Sequence, residues 1–214
     1  MLRIMGKDTS INVRKVLWTC AELGIGYARE DWGMPLRSPN EPAFLALNPN
    51  AMVPVIVDAG ADPGAEPIVL WESNTICRYL AGRYGDGSLL PRDPVARARV
   101  EQWMDWQAGE LNNAWRYAFM ALVRKSPAHA DPALVEHGIA QWHRHMGILD
   151  RQIEKTGAHV AGAHFSLADI VLALSANRWL MTPMARPAYP ALQAWMARLG
   201  ERTGFAAFCA NGIP

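Results

Sequence analysis

The stretch Asn48-Pro49-Asn50-Ala51-Met52-Val53-Pro54-Val55-Ile56 decides the fold. Polar turn-formers come first, and one Pro then stands at the head of an apolar, β-branched run. Pro cannot donate to a sheet ladder, which places Pro54 at the first residue of a strand. A Pro fixed where loop meets strand is also where a cis peptide bond is found. In that geometry the N–H and C=O of Val53 face outward and can pair with an extended peptide as an added strand would. Some sixteen residues on, the apolar run Ile68-Val69-Leu70 stops and Trp71-Glu72-Ser73-Asn74-Thr75-Ile76 opens a helical pattern. A helix N-terminus carries unpaired N–H groups and partial positive charge, which suits a carboxylate. A group that reads peptide backbone beside a group that reads a carboxylate makes a receptor for a small peptide.

Asn-Pro-x-x-x-Val-Pro followed by Glu-Ser-x-x-Ile resembles the glutathione-binding half of the cytosolic glutathione transferases, and the resemblance extends over the whole chain. It implies a thioredoxin-like α/β domain over residues 1–85, a linker over 86–92 and an all-α helical bundle domain over 93–214. The local patterns agree with it. Leu2 to Met5 reads as a strand, and Gly6 to Asn12 as a polar turn. Val13, Val16, Leu17 and Cys20 repeat at helical spacing, with Ser10 at the N-cap and Gly24 at the stop. Tyr27 to Trp32 reads as a second strand, parallel to the first through a right-handed crossover. Gly33 to Pro42 reads as a loop and Phe44 to Leu47 as a short helical turn. Pro54–Asp58 and Glu66–Trp71 are strands joined by a hairpin loop over 59–64. Ile76, Tyr79, Leu80 and Arg83 mark the closing helix.

The turn Lys7-Asp8-Thr9-Ser10-Ile11-Asn12 is where thiol chemistry belongs. A free thiol of pKa about 8.5 needs roughly 2.7 kcal/mol to fall by two units. A helix terminus supplies about 0.3–1 kcal/mol, and a hydrogen bond to a charged group about 1.5–3 kcal/mol. A donor at this helix start, together with the dipole, suffices. No Tyr precedes Tyr27 and no Cys precedes Cys20, so the tyrosine-type and the bacterial cysteine-type turns are excluded. Ser10-Ile11-Asn12 resembles both the serine-type turn and the nu-type pattern of a hydroxyl followed two positions on by Asn. Ser10 ranks first, Asn12 second and Thr9 third as the thiolate donor. The alternative is that Ser10 merely caps the helix. Ile11 stands where a Pro or Cys is more usual in the family.

The same resemblance implies that Val53, ahead of Pro54, pairs with the cysteinyl backbone of glutathione. Glu72 and Ser73 then hold its γ-glutamyl end, and Arg37, from the loop before Phe44, is the candidate for its glycyl carboxylate, unless it is a plain surface charge. It further implies a homodimer and an electrophile pocket lined by the first helix of the second domain, with Trp115 and Phe119 as candidates; ordinary core packing is the alternative for both.

In that second half Asp93-Pro94 and Asp131-Pro132 read as helix starts. The first pattern runs through Trp103, Trp106, Leu111, Trp115 and Phe119 to about Val123, a single helix of roughly 40 Å. Val135, Ile139, Trp142, Met146, Leu149 and Ile153 form a packing seam that stops at Gly157. Phe165-Ser166-Leu167-Ala168-Asp169-Ile170 combines a capping box with a hydrophobic staple. A last helix carries Leu192, Trp195, Met196 and Leu199.

Composition bounds the remaining classes. The chain has 214 residues and a net charge of +1, with neither a nucleic-acid footprint nor a polybasic membrane patch. No apolar run has the length of a membrane span, and Met1–Met5 runs straight into a strand with no secretory h-region. Three dispersed cysteines, Cys20, Cys77 and Cys209, argue against a disulfide framework, so a cytoplasmic protein is expected. His143 and His145 point to different sides of one helix and cannot share a metal. No Cys-x-x-Cys, Gly-x-Gly-x-x-Gly or Gly-x-Ser-x-Gly occurs. The expectation is a metal-free glutathione transferase acting on a small hydrophobic electrophile. A glutathione-dependent disulfide reductase on the same fold is the first alternative, and a non-catalytic binding protein the second.

Overall fold

A computed structural model describes residues 1–60, 64 and 66–214. The chain divides into two compact units, Met1–Gly87 and Ser88–Pro214.

In the first unit the order is β1 (Leu2–Met5), α1 (Ile11–Leu23), β2 (Tyr27–Glu30), α2 (Pro42–Leu45), β3 (Val55–Asp58), β4 (Ile68–Trp71) and α3 (Ser73–Tyr84). The sheet order is β2-β1-β3-β4. β1 pairs parallel to β2 and antiparallel to β3, and β3 pairs antiparallel to β4. This is the thioredoxin-like arrangement expected from the strand and helix order. Strand alternation divides the apolar residues between two faces. Met5 lies opposite Val55 and packs with Trp32 and Phe44 of α2. Ile4 lies opposite Ile56, both fully buried, on the other face. Gly6 permits the tight turn into α1: with φ +155° it leaves so little room that a Cβ would meet Val13 Cγ2 at 2.4 Å.

Three strands are shorter than the sequence suggests, each for a reason in its backbone. β2 ends at Glu30, because the N–H of Trp32 turns back to Glu30 O (3.0 Å). β3 starts at Val55 and not at Pro54, and β4 starts at Ile68 and not at Glu66. In both cases a Pro without an N–H stands immediately before the ladder. The expected hairpin loop over 59–64 includes Ala61, Asp62 and Pro63, which lie outside the described residues.

The second unit is mainly helical: α4 (Pro94–Trp106), α5 (Asn112–Leu122), α6 (Pro132–Thr156), α7 (Leu167–Met181) and α8 (Pro190–Leu199). Short 3-10 and π turns lie at Pro127–His129 and Phe205–Cys209. The single long helix expected from residue 94 to 123 is interrupted by a π turn, Gln107–Leu111. Gln107 Nε2 donates to Asn112 Oδ1, five residues on, at 3.0 Å, which is the span of one π turn. α5 packs on α6 at Gly138, where a Cβ would come within 3.3 Å of Ala118. α7 is buried along nearly its whole length and forms the centre of this unit. Among the described residues no helix is long and apolar enough to cross a membrane.

Candidate active site

The starts of α1 and α3 lie together. Ser10 stands at the N-cap of α1 in extended conformation, and its side chain makes no capping bond. The first helical bond runs from the Arg14 N–H to Ser10 O (2.9 Å), so the amides of residues 11–13 precede the ladder. Glu72 stands at the N-cap of α3, and the Ile76 N–H donates to its carbonyl (2.9 Å), leaving the amides of 73–75 likewise ahead of the ladder. The Ser73 hydroxyl, 61 residues from Asn12 in sequence, donates to Asn12 Oδ1 at 3.3 Å. Two helix N-termini, each carrying partial positive charge, are thereby joined by one hydrogen bond.

Glu72 adopts φ 71° and ψ 108°, a left-handed conformation that costs a non-glycine residue about 1–3 kcal/mol. The strain turns the chain from β4 into α3 and leaves the Glu72 side chain exposed above the helix start. The Val53–Pro54 bond is cis, as its position at the strand head suggests. Asn48 holds the approach to it: its Nδ2 donates to Met52 O (2.8 Å), and its Oδ1 accepts from the Asn50 N–H (3.0 Å).

Two residues of the site were not singled out from sequence. Lys15 of α1 is 1 % exposed and donates through Nζ to Asn74 Oδ1 of α3 at 3.2 Å. That bond repeats, one turn deeper, the link between Asn12 and Ser73. Its signal was legible: Lys15 lies four residues after Ile11 and four before Thr19, on the buried side of the helix.

The remaining candidates stand elsewhere. Arg37 lies over the Trp32 ring (3.7 Å) and gives both Nε (2.9 Å) and Nη2 (2.7 Å) to Glu41. It borders a half-open cavity of about 450 Å³ with Arg3, Glu30, Val57 and Val69. None of these contacts reaches Ser10, Asn12 or Ser73. In the second unit Phe119 is 3 % exposed and Trp115 is half-buried against it, ring centroids 5.4 Å apart.

The protein offers no reactive thiol of its own here. Burial pushes Cys77 up to about 11 and Cys20 up to about 12, and Cys209 is buried too. Among the described residues no group of three or more His, Cys, Asp or Glu side chains is placed to hold a metal ion. His143 is engaged with Ala185 O and the Trp179 indole, and His145 with Gln141 O. The arrangement can bind a small extended anion at two helix starts and stabilise a negative sulfur beside a hydroxyl.

Comparison with known proteins agrees with that geometry. Residues 9–83 match the family description "Glutathione S-transferase, N-terminal domain", and residues 132–198 match "Glutathione S-transferase, C-terminal domain". The chain is 35% identical over 202 residues to glutathione S-transferase GstB of Escherichia coli, covering 94% of each. It is 30% identical over 165 residues to the disulfide-bond oxidoreductase YfcG of the same organism, covering 75% of this chain and 73% of that one. The theta class glutathione S-transferase of Xanthomonas axonopodis pv. citri, solved with glutathione bound, superposes with a TM-score of 0.86 at 35% identity, over 97% of this chain and 96% of that one. A thioredoxin-like unit with two joined helix starts, a helical second unit and this likeness along the length of the chain lead to one assignment: the chain belongs to the glutathione S-transferase family.

Proposed function

We propose that the helix starts joined by Asn12 and Ser73 hold glutathione, and that Ser10, with Asn12 beside it, stabilises the thiolate this transferase uses. The chain is a glutathione transferase, with glutathione as co-substrate and a small hydrophobic electrophile as the second substrate. The observation that carries the reading is the 3.3 Å bond between Ser73 and Asn12, which unites the carboxylate end and the thiol end of the ligand.

The Ser73 proton is directed at Asn12, so the γ-glutamyl carboxylate is held first by the amides at the start of α3. Glu72 pairs the γ-glutamyl amino group. Val53, beside the cis Pro54, pairs the cysteinyl backbone. Arg37 can serve the glycyl carboxylate only by exchanging it for Glu41. Once bound, the sulfur meets the Ser10 hydroxyl, which makes no capping bond, and the positive end of α1. The thiolate then attacks the electrophile, forming a thioether and expelling the leaving group with its electron pair. Trp115 is the side chain assigned to the electrophile, with Phe119 behind it. A homodimer in the cytoplasm completes the proposal; sedimentation of the purified protein at about twice its 23.7 kDa mass tests the dimer.

The decisive experiment is an ultraviolet difference titration of the protein with glutathione from pH 5 to pH 9. A thiolate band with an apparent pKa well below 8.5 is expected, moving back toward the free value in Ser10→Ala with Asn12→Ala. Binding without a lowered pKa would defeat the thiolate mechanism. A disulfide reductase reading is favoured by the likeness to YfcG; with the Cys20 and Cys77 thiols buried and raised, the exchange would be carried by glutathione itself. Turnover of a mixed disulfide far above that of aryl halides would select it.

A further inference from the structure

The π turn between α4 and α5 builds a polar chain that ends on Trp115. Gln107 is 1 % exposed, and its Nε2 donates both to Ser175 Oγ of α7 (3.1 Å) and to Asn112 Oδ1 (3.0 Å). The same Asn112 oxygen accepts the Trp115 indole N–H at 3.1 Å. The Ser175 hydroxyl is itself directed at Val171 O (3.1 Å), so its lone pairs are free to take the Gln107 amide. The edge of Trp115 is thus referred, through two amide side chains, to the buried helix α7. Its face is referred to α7 as well: Arg178, 5 % exposed, sets its guanidinium 4.7 Å from the Trp115 ring and 4.3 Å from Phe119.

Asn112 sits half-buried at the first position of α5. An uninterrupted α-helix puts neighbours at i, i+3 and i+4 on one face. The π turn brings residue 107 within reach of 112 instead, so that one oxygen serves both donors. The Gln107 bond holds the Asn112 oxygen in place, and that oxygen fixes the indole against rotation more firmly than packing alone, since turning the ring away would leave its N–H without this acceptor.

We propose that Asn112 is a positioning residue for the electrophile: through its shared oxygen it holds the Trp115 indole in the orientation that receives the second substrate, without contacting glutathione. The inference rests on the assignment of Trp115 to the electrophile. Asn112 requires only an acceptor for this role, because both of its partners donate. An aspartate is therefore a functional replacement, and an alanine is not.

The test is steady-state kinetics with glutathione and an aryl chloride bearing two nitro groups, each substrate varied in turn. Asn112→Ala is expected to raise KM for the aryl chloride at least fivefold and to leave KM for glutathione within twofold. Asn112→Asp is expected to bring it back within twofold of the original. A double-mutant cycle separates positioning from folding: in a Trp115→Phe background, where the indole N–H is gone, Asn112→Ala should change the aryl chloride KM by less than twofold. Unchanged kinetics in Asn112→Ala, equal loss for both substrates, or an undiminished effect in the Trp115→Phe background would each overturn the inference. Absence of conjugation in the unaltered protein would instead remove the transferase reading on which it stands, and that control is read before any variant.

Discussion

The helix starts of the two units are built in opposite ways. In the helical unit each α-helix that follows a loop begins on a carboxylate. Asp93 accepts from Ala96 N–H (2.8 Å), Asp131 from Ala133 (2.9 Å), and Asp150 of α6 reaches across to the Leu192 N–H at the start of α8 (2.8 Å). At α7 the carboxylate is Asp169, fully buried, which takes the N–H (2.9 Å) and hydroxyl (3.0 Å) of Ser166 on one oxygen. Its other oxygen takes the Val160 N–H (3.0 Å), the Trp195 indole (2.9 Å) and His159 (3.2 Å). In the thioredoxin-like unit α1 and α3 begin with no side-chain cap at all. A cap contributes typically about 1 kcal/mol, so these two starts forgo stability the fold obtains elsewhere. What they keep is the partial positive charge of two helix starts that no capping side chain occupies.

The largest effect belongs to the satisfied start. Asp169→Ala leaves two backbone amides, an indole and a hydroxyl in the interior without their acceptor. Each orphaned donor costs about 1–3 kcal/mol, so a loss of about 4 kcal/mol is expected in urea unfolding. That exceeds what the capping box alone suggests, because Asp169 also ties the 159–160 segment and α8 to α7. A loss below about 1 kcal/mol would show that the unit has another way to close.

Ser10→Ala with Asn12→Ala is the converse. Since Ser10 caps nothing through its side chain, Ser10→Ala alone should change folding stability by less than about 0.5 kcal/mol, against the usual 0.5–2 kcal/mol for losing an N-cap; Asn12→Ala takes the acceptor from the Ser73 hydroxyl and should add a cost of about 1 kcal/mol. Conjugation should fall about 10- to 100-fold, the worth of one hydrogen bond to a charged sulfur. Stability lost by Ser10→Ala in step with activity would make Ser10 a structural residue and erase the distinction between the two kinds of helix start.

The contrast was half visible in the sequence. Asp-Pro at 93 and 131 and Ser-x-x-Asp at 166 announce capped starts, because a cap is a local pattern of two residues a few positions apart. The motif around Val53 and Pro54 and the Glu72-Ser73 pair were legible for the same reason. The meeting of Asn12 with Ser73, and of Lys15 with Asn74, joins residues about sixty positions apart, and the register of α1 against α3 decides it. The pairing of Arg37 was not legible, because a charge in a loop says nothing about its partner; in the fold that partner is Glu41, four residues on. The break at Gln107–Leu111 was hidden because neither a Pro nor a change of apolar period marks it.

An uncapped α3 must be held from its other end, and Asp58 does so. This carboxylate, 2 % exposed at the end of β3, accepts from Tyr79 OH (2.8 Å) and Tyr84 OH (2.6 Å), both on α3, and from the Gly60 N–H (2.9 Å). Burial works to raise its pKa, but the bonds from Tyr84, Gly60 and Tyr79 and the charge of Arg83 outweigh it and hold the carboxyl below its ordinary value. A depressed folded pKa gives stability that is present above the unfolded value of about 3.9 and lost as pH falls through the folded value. Asp58→Asn should therefore cost about 1–2 kcal/mol at pH 7 and flatten the acid limb of the stability curve below about pH 4. An unaltered acid limb would move the anchoring of α3 elsewhere.

The smallest effect is the one whose two readouts run in opposite directions. Glu72 is strained at φ 71°, and Gly adopts that conformation without penalty. If the strain were structural, held because the turn into α3 needs a glutamate side chain, Glu72→Gly would destabilise the fold. The Glu72 side chain is exposed and makes no capping bond. Glu72→Gly should leave stability equal or raise it by up to about 1 kcal/mol, the relief of strain less the added freedom of the unfolded chain. Glutathione affinity, read by isothermal titration, should fall about tenfold for want of the charge that meets the γ-glutamyl ammonium. A strained residue whose removal helps folding and harms binding is one the ligand, and not the fold, requires, and that is the sense in which α1 and α3 are left open where α7 is closed.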